Sequence, residues 1–177
     1  PTGVMDAVIG PEQMVLQVHE SIGHALELDR ILGDERNYAV TSFVKIEDLG
    51  SLRWGPEILN VVIDPTVEGE VCSAGFDDEG LPARKTPLIK DGLLVRGIGG
   101  ALSAQRLDRK DDAIAVSRAC SWNRPPIDRM ANLNVEPGDS TLQQLIGAVE
   151  KGIWLDVNSS WSIDDHRWKF QFGVEDA

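Results

Sequence analysis

The sequence is poor in cysteine. Its 177 residues include two, Cys72 and Cys120, far apart and in no Cys-x-x-Cys pair. A disulfide framework is therefore not expected, and a reducing cytoplasm is the expected setting. Basic residues are also few: 17 Lys and Arg stand against 29 Asp and Glu, for a net charge of −12. They are scattered and form no basic patch, which argues against direct nucleic-acid contact. No apolar run is long enough for a membrane span. The opening stretch "PTGVMDAVIGPEQ" has neither the basic start nor the long apolar stretch of a signal peptide. It also lacks an initiator Met, and both ends run into strand-like segments, so a piece of a longer protein is expected.

What remains is ordinary globular composition, 42% hydrophobic and 26% charged, enough for one domain over residues 1–177. Met5 to Ile9 reads as a short strand closed by Gly10-Pro11, with Pro11 suited to open a helix. That helix is expected over residues 12–32, stopping at Gly33. "ILNVVIDP" reads as a buried strand. "RKTPLIKDGLLVRGIGG" reads as a hairpin turning at Asp91-Gly92, and "ALSAQRL" as a short helix. "RMANLNVEPGD" reads as a strand followed by a turn. Asp139 or Ser140 is expected to cap a helix over "TLQQLIGAVEKG". "IWLDVNSSWSI" and "RWKFQFGVE" suit an antiparallel pair joined around Asp164-Asp165-His166. The expected class is α+β: a mostly antiparallel sheet, barrel-like or sandwich-like, with one long helix and one or two shorter ones.

The long helix holds "VLQVHESIGHALELDR", in which His19, Glu20 and His24 fall close together. On a wheel of about 100° per residue, Val15, Val18, Ile22, Ala25 and Leu26 form the core face. The opposite arc carries His19, Gly23, Glu27, Glu20 and His24. Between the two histidines that arc has no lysine, the usual filler of a solvated face. Histidines five apart diverge by about 140° in a regular helix, so they share a metal only if the helix is distorted. A π-type turn would bring them to one side, and Gly23 tolerates the strain, so the expectation is a helix that is distorted around residues 21–24 or ends early there. Neutral imidazoles of His19 and His24 then suit zinc. Glu20 would take a proton from a metal-activated water and pass it to a leaving amine. Glu27 or Asp29 would orient a ligand histidine. The bland alternative is a helix that merely carries two histidines.

"HESIGHALELDRILGDERNYA" resembles the HExxxH signature of the TldD/PmbA metalloprotease family. "VVIDPTVEGEVCSAGFDDEGLPARKTPLIKDGLLV" and "RPPIDRMANLNVEPGDSTLQQLI" are similar to further blocks of the same family, so the resemblance covers nearly the whole chain. The motif places the chain with the active, TldD-like type. The resemblance implies His19 and His24 as zinc ligands and Glu20 as catalytic base. It also implies a peptidase for small or unfolded peptides, acting in a complex with a motif-lacking partner subunit or as a homo-oligomer. Finally, it implies an N-terminal domain absent here and a third zinc ligand, a cysteine beyond Ala177. Cys72 and Cys120 do not match that cysteine's context, so these 177 residues are expected to bind zinc weakly or not at all.

Other features have plainer readings. His166 is expected at the surface. Trp154, Trp161 and Trp168 are expected in core or cross-strand packing. "GFDDEGLPARKT" suggests a flap, with Asp77, Asp78 and Glu79 a weak invitation to a hard cation. "RGIGGALS" is a poor phosphate-loop lookalike without a Walker lysine. Two readings compete with the peptidase: a non-catalytic peptide- or protein-binding subunit, and a modulator of DNA gyrase acting through protein partners.

Overall fold

The computed structural model describes residues 2–34 and 41–175. Strand β1 (Asp6–Ile9) leads through Gly10 into α1 (Pro11–Val18), with Pro11 in the first turn where its missing N–H costs nothing. A π-turn follows at His19–Gly23, then α2 (His24–Leu26) and α3 (Leu28–Leu32). Gly33 ends α3 in the left-handed region at φ 87°, as its position predicts.

The expected single helix over residues 12–32 is thus interrupted twice. At Glu27 the backbone leaves helical geometry, with ψ 119°. Leu28 N donates to the Ile98 carbonyl at 2.8 Å, and Ile98 N to the Leu26 carbonyl at 2.7 Å. A sheet-like bridge to the glycine-rich segment replaces one turn of the helix. That segment is no phosphate loop. A Cβ on Gly97 or Gly99 would lie 2.4 Å from a Leu28 methyl, so these glycines let Leu28 pack against bare backbone.

The central sheet has four antiparallel strands in the order β4 (Leu93–Leu94), β3 (Thr86–Lys90), β2 (Val61–Ile63), β7 (Leu133–Val135). Asp91 and Gly92 turn β3 into β4 with φ 50° and 75°, the pair of positive angles that a two-residue hairpin needs. Ile22, Ala25 and Leu26 pack onto Val61, Ile63, Leu88, Ile89, Leu94 and Ile98 to form the core. Helix α4 (Ala101–Arg106) and the two-stranded ribbon β5 (Ser117–Arg118) with β6 (Ile127–Asp128) extend this body.

The remainder is α5 (Leu142–Gly147), β8 (Gly152–Leu155), β9 (Asn158–Ile163) and β10 (Phe170–Val174). β9 and β10 pair antiparallel as expected. β8 instead pairs parallel with β1, 146 residues earlier in register (Asp6 with Gly152). Thr141, not Asp139 or Ser140, caps α5: its hydroxyl accepts from Gln144 N while Gln144 returns a bond to Thr141 N. The fold is α+β and sandwich-like, and no closed barrel forms among the described residues.

Candidate metal centre

The π-turn sets the site. His24 N donates to the carbonyl of His19, five residues back, and the extra residue per turn swings both imidazoles to one side. Their ring centres lie 4.5 Å apart with planes at 89°. One donor atom each from His19, Glu20 and His24 falls within 4.8 Å of the others. The Ser21 hydroxyl donates to the Gln17 carbonyl one turn earlier, a bond that favours bending of the helix there. Gly23 serves close packing rather than strain. Its φ of −53° is ordinary, but a Cβ would stand 2.5 Å from the Met130 sulfur.

The same insertion explains a misplaced side chain. A wheel drawn at one constant angle cannot hold on both sides of a π-turn. Ile22, Ala25 and Leu26 are buried as expected, but Val15, before the turn, is 65% exposed. Glu27, assigned by the wheel to the polar arc, is fully buried.

Glu27 rather than Asp29 orients a histidine. Its Oε2 lies 3.0 Å from His24 Nδ1 and accepts from Arg30 Nε and Nη2 at 3.2 and 2.8 Å. A carboxylate only accepts, so this shorter contact favours a proton on Nδ1, with the Nε2 lone pair left for a ligand, although Arg30 Nη2 also lies 3.3 Å from Nδ1. Burial opposes ionisation of Glu27, but the bonds from His24 and Arg30 outweigh it and hold its carboxyl below the usual range. Burial, aided by the neighbouring His24, pushes His19 below its ordinary value, so its imidazole is neutral near pH 7. Two imidazoles beside a carboxylate are a donor set that fits a zinc ion.

Glu20 is 8% exposed and pairs with Arg167, whose Nη1 lies 3.1 Å from Glu20 Oε2. The sequence drew attention to His166 in this turn and missed its neighbour. His166 is exposed, within 3.2 Å of the Thr41 hydroxyl. The only sequence signal for Arg167 was its place in the Asp-Asp-His-Arg turn.

His19 also lines an apolar cavity of about 620 Å³, walled by Met14, Val18, Met130 and Leu133, with Cys72 and Arg118 on its rim. β7 borders it as an edge strand. Glu136 N bonds Asn60 O and Asp64 N bonds Asn132 O, so Leu133 and Val135 turn their main-chain groups away from β2 toward the open edge. Cys72 is half-buried and Cys120 exposed, and neither joins the histidine group. The acidic "FDDEG" stretch is structural. Asp77 accepts from Glu79, Leu81, Val116 and Ser117 N–H groups, and Glu79 from Ala101 N and the Ser117 hydroxyl.

Residues 2–177 match the family model for the PmbA/TldA metallopeptidase C-terminal domain. The chain belongs to this family. Among PmbA/TldA relatives, a metalloprotease of Methanocaldococcus jannaschii is 31% identical over 177 residues, covering all of this chain and 37% of that protein. A metalloprotease of Synechocystis is 36% identical over 147 residues, 83% of this chain and 30% of that protein. A zinc metalloprotease TldD homolog of Saccharolobus solfataricus is 27% identical over 176 residues, 99% of this chain and 37% of that protein. The chain thus spans about a third of the length of these relatives. The crystal structure of TldE from Thermococcus kodakarensis shares the fold, with a TM-score of 0.77 at 16% identity, over 97% of this chain and 37% of that one. A Thermotoga maritima protein named as a candidate modulator of a DNA gyrase follows at TM-score 0.73 and 17% identity, over 90% of this chain and 33% of that one.

Proposed function

We propose that these residues form the catalytic domain of a zinc-dependent peptidase for small or unfolded peptides, with His19 and His24 as metal ligands and Glu20 as general base. The observation that carries this reading is the π-turn at His19–Gly23, which gathers two imidazoles and a buried carboxylate beside an apolar groove. Bound zinc supplies Lewis acidity, easing ionisation of water toward neutral pH and polarising the scissile carbonyl.

The chain's own groups do the rest. Glu20 takes the proton of the attacking water and later delivers it to the leaving amine nitrogen as the C–N bond breaks. Glu27 fixes the ring and tautomer of His24. The groove takes apolar side chains of the peptide, and the open edge of β7 offers main-chain hydrogen bonds to an extended backbone. Such recognition depends little on sequence, which suits unfolded substrates.

Two imidazoles are one donor short of the usual three. In this reading the third comes from elsewhere in a longer cytoplasmic protein, and the 177 residues alone hold zinc weakly. The working form is a complex with a related motif-lacking subunit, or a homo-oligomer. Glu20→Gln in the full-length protein is the test. Peptide cleavage should fall by about 10² to 10⁴ while peptide binding persists. Cleavage at the original rate removes Glu20 from the mechanism.

A further inference from the structure

Glu20 has two possible uses. Its carboxylate stands within 4.8 Å of donor nitrogens on both histidines, close enough to join them around an ion. A carboxylate that ligates the metal is no longer free to accept the proton of water, so something must decide between the two roles.

Arg167 is built into the fold at this point. It lies in the turn joining β9 to β10, and Asp164 shapes that turn by accepting from Lys169 N at 2.6 Å and His166 N at 3.3 Å. Arg167 N donates to the Asp164 carbonyl at 2.9 Å. The residue sits at φ 58°, a left-handed conformation that residues other than Gly, Asn and Asp rarely adopt. From there its side chain, 12% exposed, reaches a residue 147 positions earlier in the sequence. Nη1 donates to Glu20 Oε2 at 3.1 Å and to the Glu20 carbonyl at 3.2 Å. One nitrogen thereby ties the end of the side chain to its own backbone. Oε2 is taken, and Oε1 has no hydrogen-bond partner among the described residues.

We propose that Arg167 is a positioning residue that holds Glu20 as proton acceptor and keeps it from becoming a metal ligand. The inference rests on the reading of Glu20 as general base. It assigns to the β9–β10 turn a part in the site that no zinc-motif residue supplies.

Arg167→Met and Arg167→Lys in the full-length protein test it, each with steady-state kinetics on an unfolded peptide, zinc affinity by competition with a chelator, and thermal melting of the zinc-free protein. For Arg167→Met the expected result is a kcat lower by about 10²-fold, a KM within about twofold of the parent, and zinc bound at least threefold more tightly, because Glu20 now ligates. Arg167→Lys should recover part of kcat and return zinc affinity toward the parent value. In the Glu20→Gln background, Arg167→Met should leave zinc affinity unchanged. An unchanged kcat overturns the proposal, as does weaker zinc binding that tracks a lower melting temperature, which marks a structural role. Should Arg167→Met not fold, Arg167→Gln takes its place: parental kcat with parental zinc affinity there overturns the proposal. Failure of the peptidase reading is distinct, since it shows as full cleavage by Glu20→Gln.

Discussion

Residues 20–132 and residues 133–175 are built differently. The first region supplies the core: Leu26, Val61, Ile63, Leu88, Ile89, Leu94 and Ile98 are all fully inaccessible. The second contains no buried residue among those described, and Leu142, Leu145, Ile146, Trp161 and Trp168 are 44% to 68% exposed. Yet the cation that holds Glu20 comes from the second region, while both histidines lie on the helical segment packed against the core and Glu27 in the break that follows it. The two imidazoles are therefore held by packing, whereas the Glu20 carboxylate is held by a ribbon with little packing of its own.

The contrast can be broken or sharpened by substitution. Glu27→Ala should have the largest effect, because it removes a fully buried carboxylate that accepts from both Nε and Nη2 of the buried Arg30 and lies against His24. A loss of about 3–5 kcal/mol in denaturant unfolding is expected. A loss below about 1 kcal/mol would mean the buried ion pairs do not anchor the helix.

Asp29 gives the next effect. Burial, with Asp128 and Glu27 nearby, pushes its carboxyl up to about 7. Between the ordinary carboxylate range and pH 7 the folded state binds the extra proton, so this residue's contribution to stability falls as pH rises and levels off above about 7. Asp29→Asn should match the parent near pH 4 and exceed it by a few kcal/mol at pH 8, on the order of 1.4 kcal/mol per pH unit between. Thermal melts at the two pH values check the sign.

Gly99→Ala should cost about 1–3 kcal/mol by overpacking, since its Cβ would meet Leu28 at 2.4 Å. Leu145→Ala should be smallest, within about 0.5 kcal/mol in this chain, because the side chain is 47% exposed. A large loss there would show that the second region has a core of its own.

Much of this was legible in the sequence. The Asp91-Gly92 turn, the Gly33 stop and the β9–β10 pair follow from local chemistry. A distortion of the helix near Gly23 was also expected, because histidines five apart diverge on a regular helix, but its form as a π-turn was not fixed. What could not be read depends on distant partners. The break at Glu27 is set by Ile98, the parallel β1–β8 pair by residues at opposite ends of the chain, and the burial of Glu27 by Arg30 and the Met130 backbone. Trp161 lies across from Phe172 and Trp168 packs on Phe43. Cross-strand packing was thus the right expectation for Trp161, but neither tryptophan is in the core. Arg167 escaped notice because nothing local links position 167 to position 20.

In the proposed site a widened turn aims two imidazoles at one ion. A crystal structure of the full-length protein grown with zinc, with the ion located by anomalous scattering, tests it most directly. The account predicts one zinc about 2.0–2.1 Å from a ring nitrogen of both His19 and His24, with His24 N still bonded to the His19 carbonyl. A regular helix with His24 N on the Glu20 carbonyl, and zinc absent from between the rings, would contradict it.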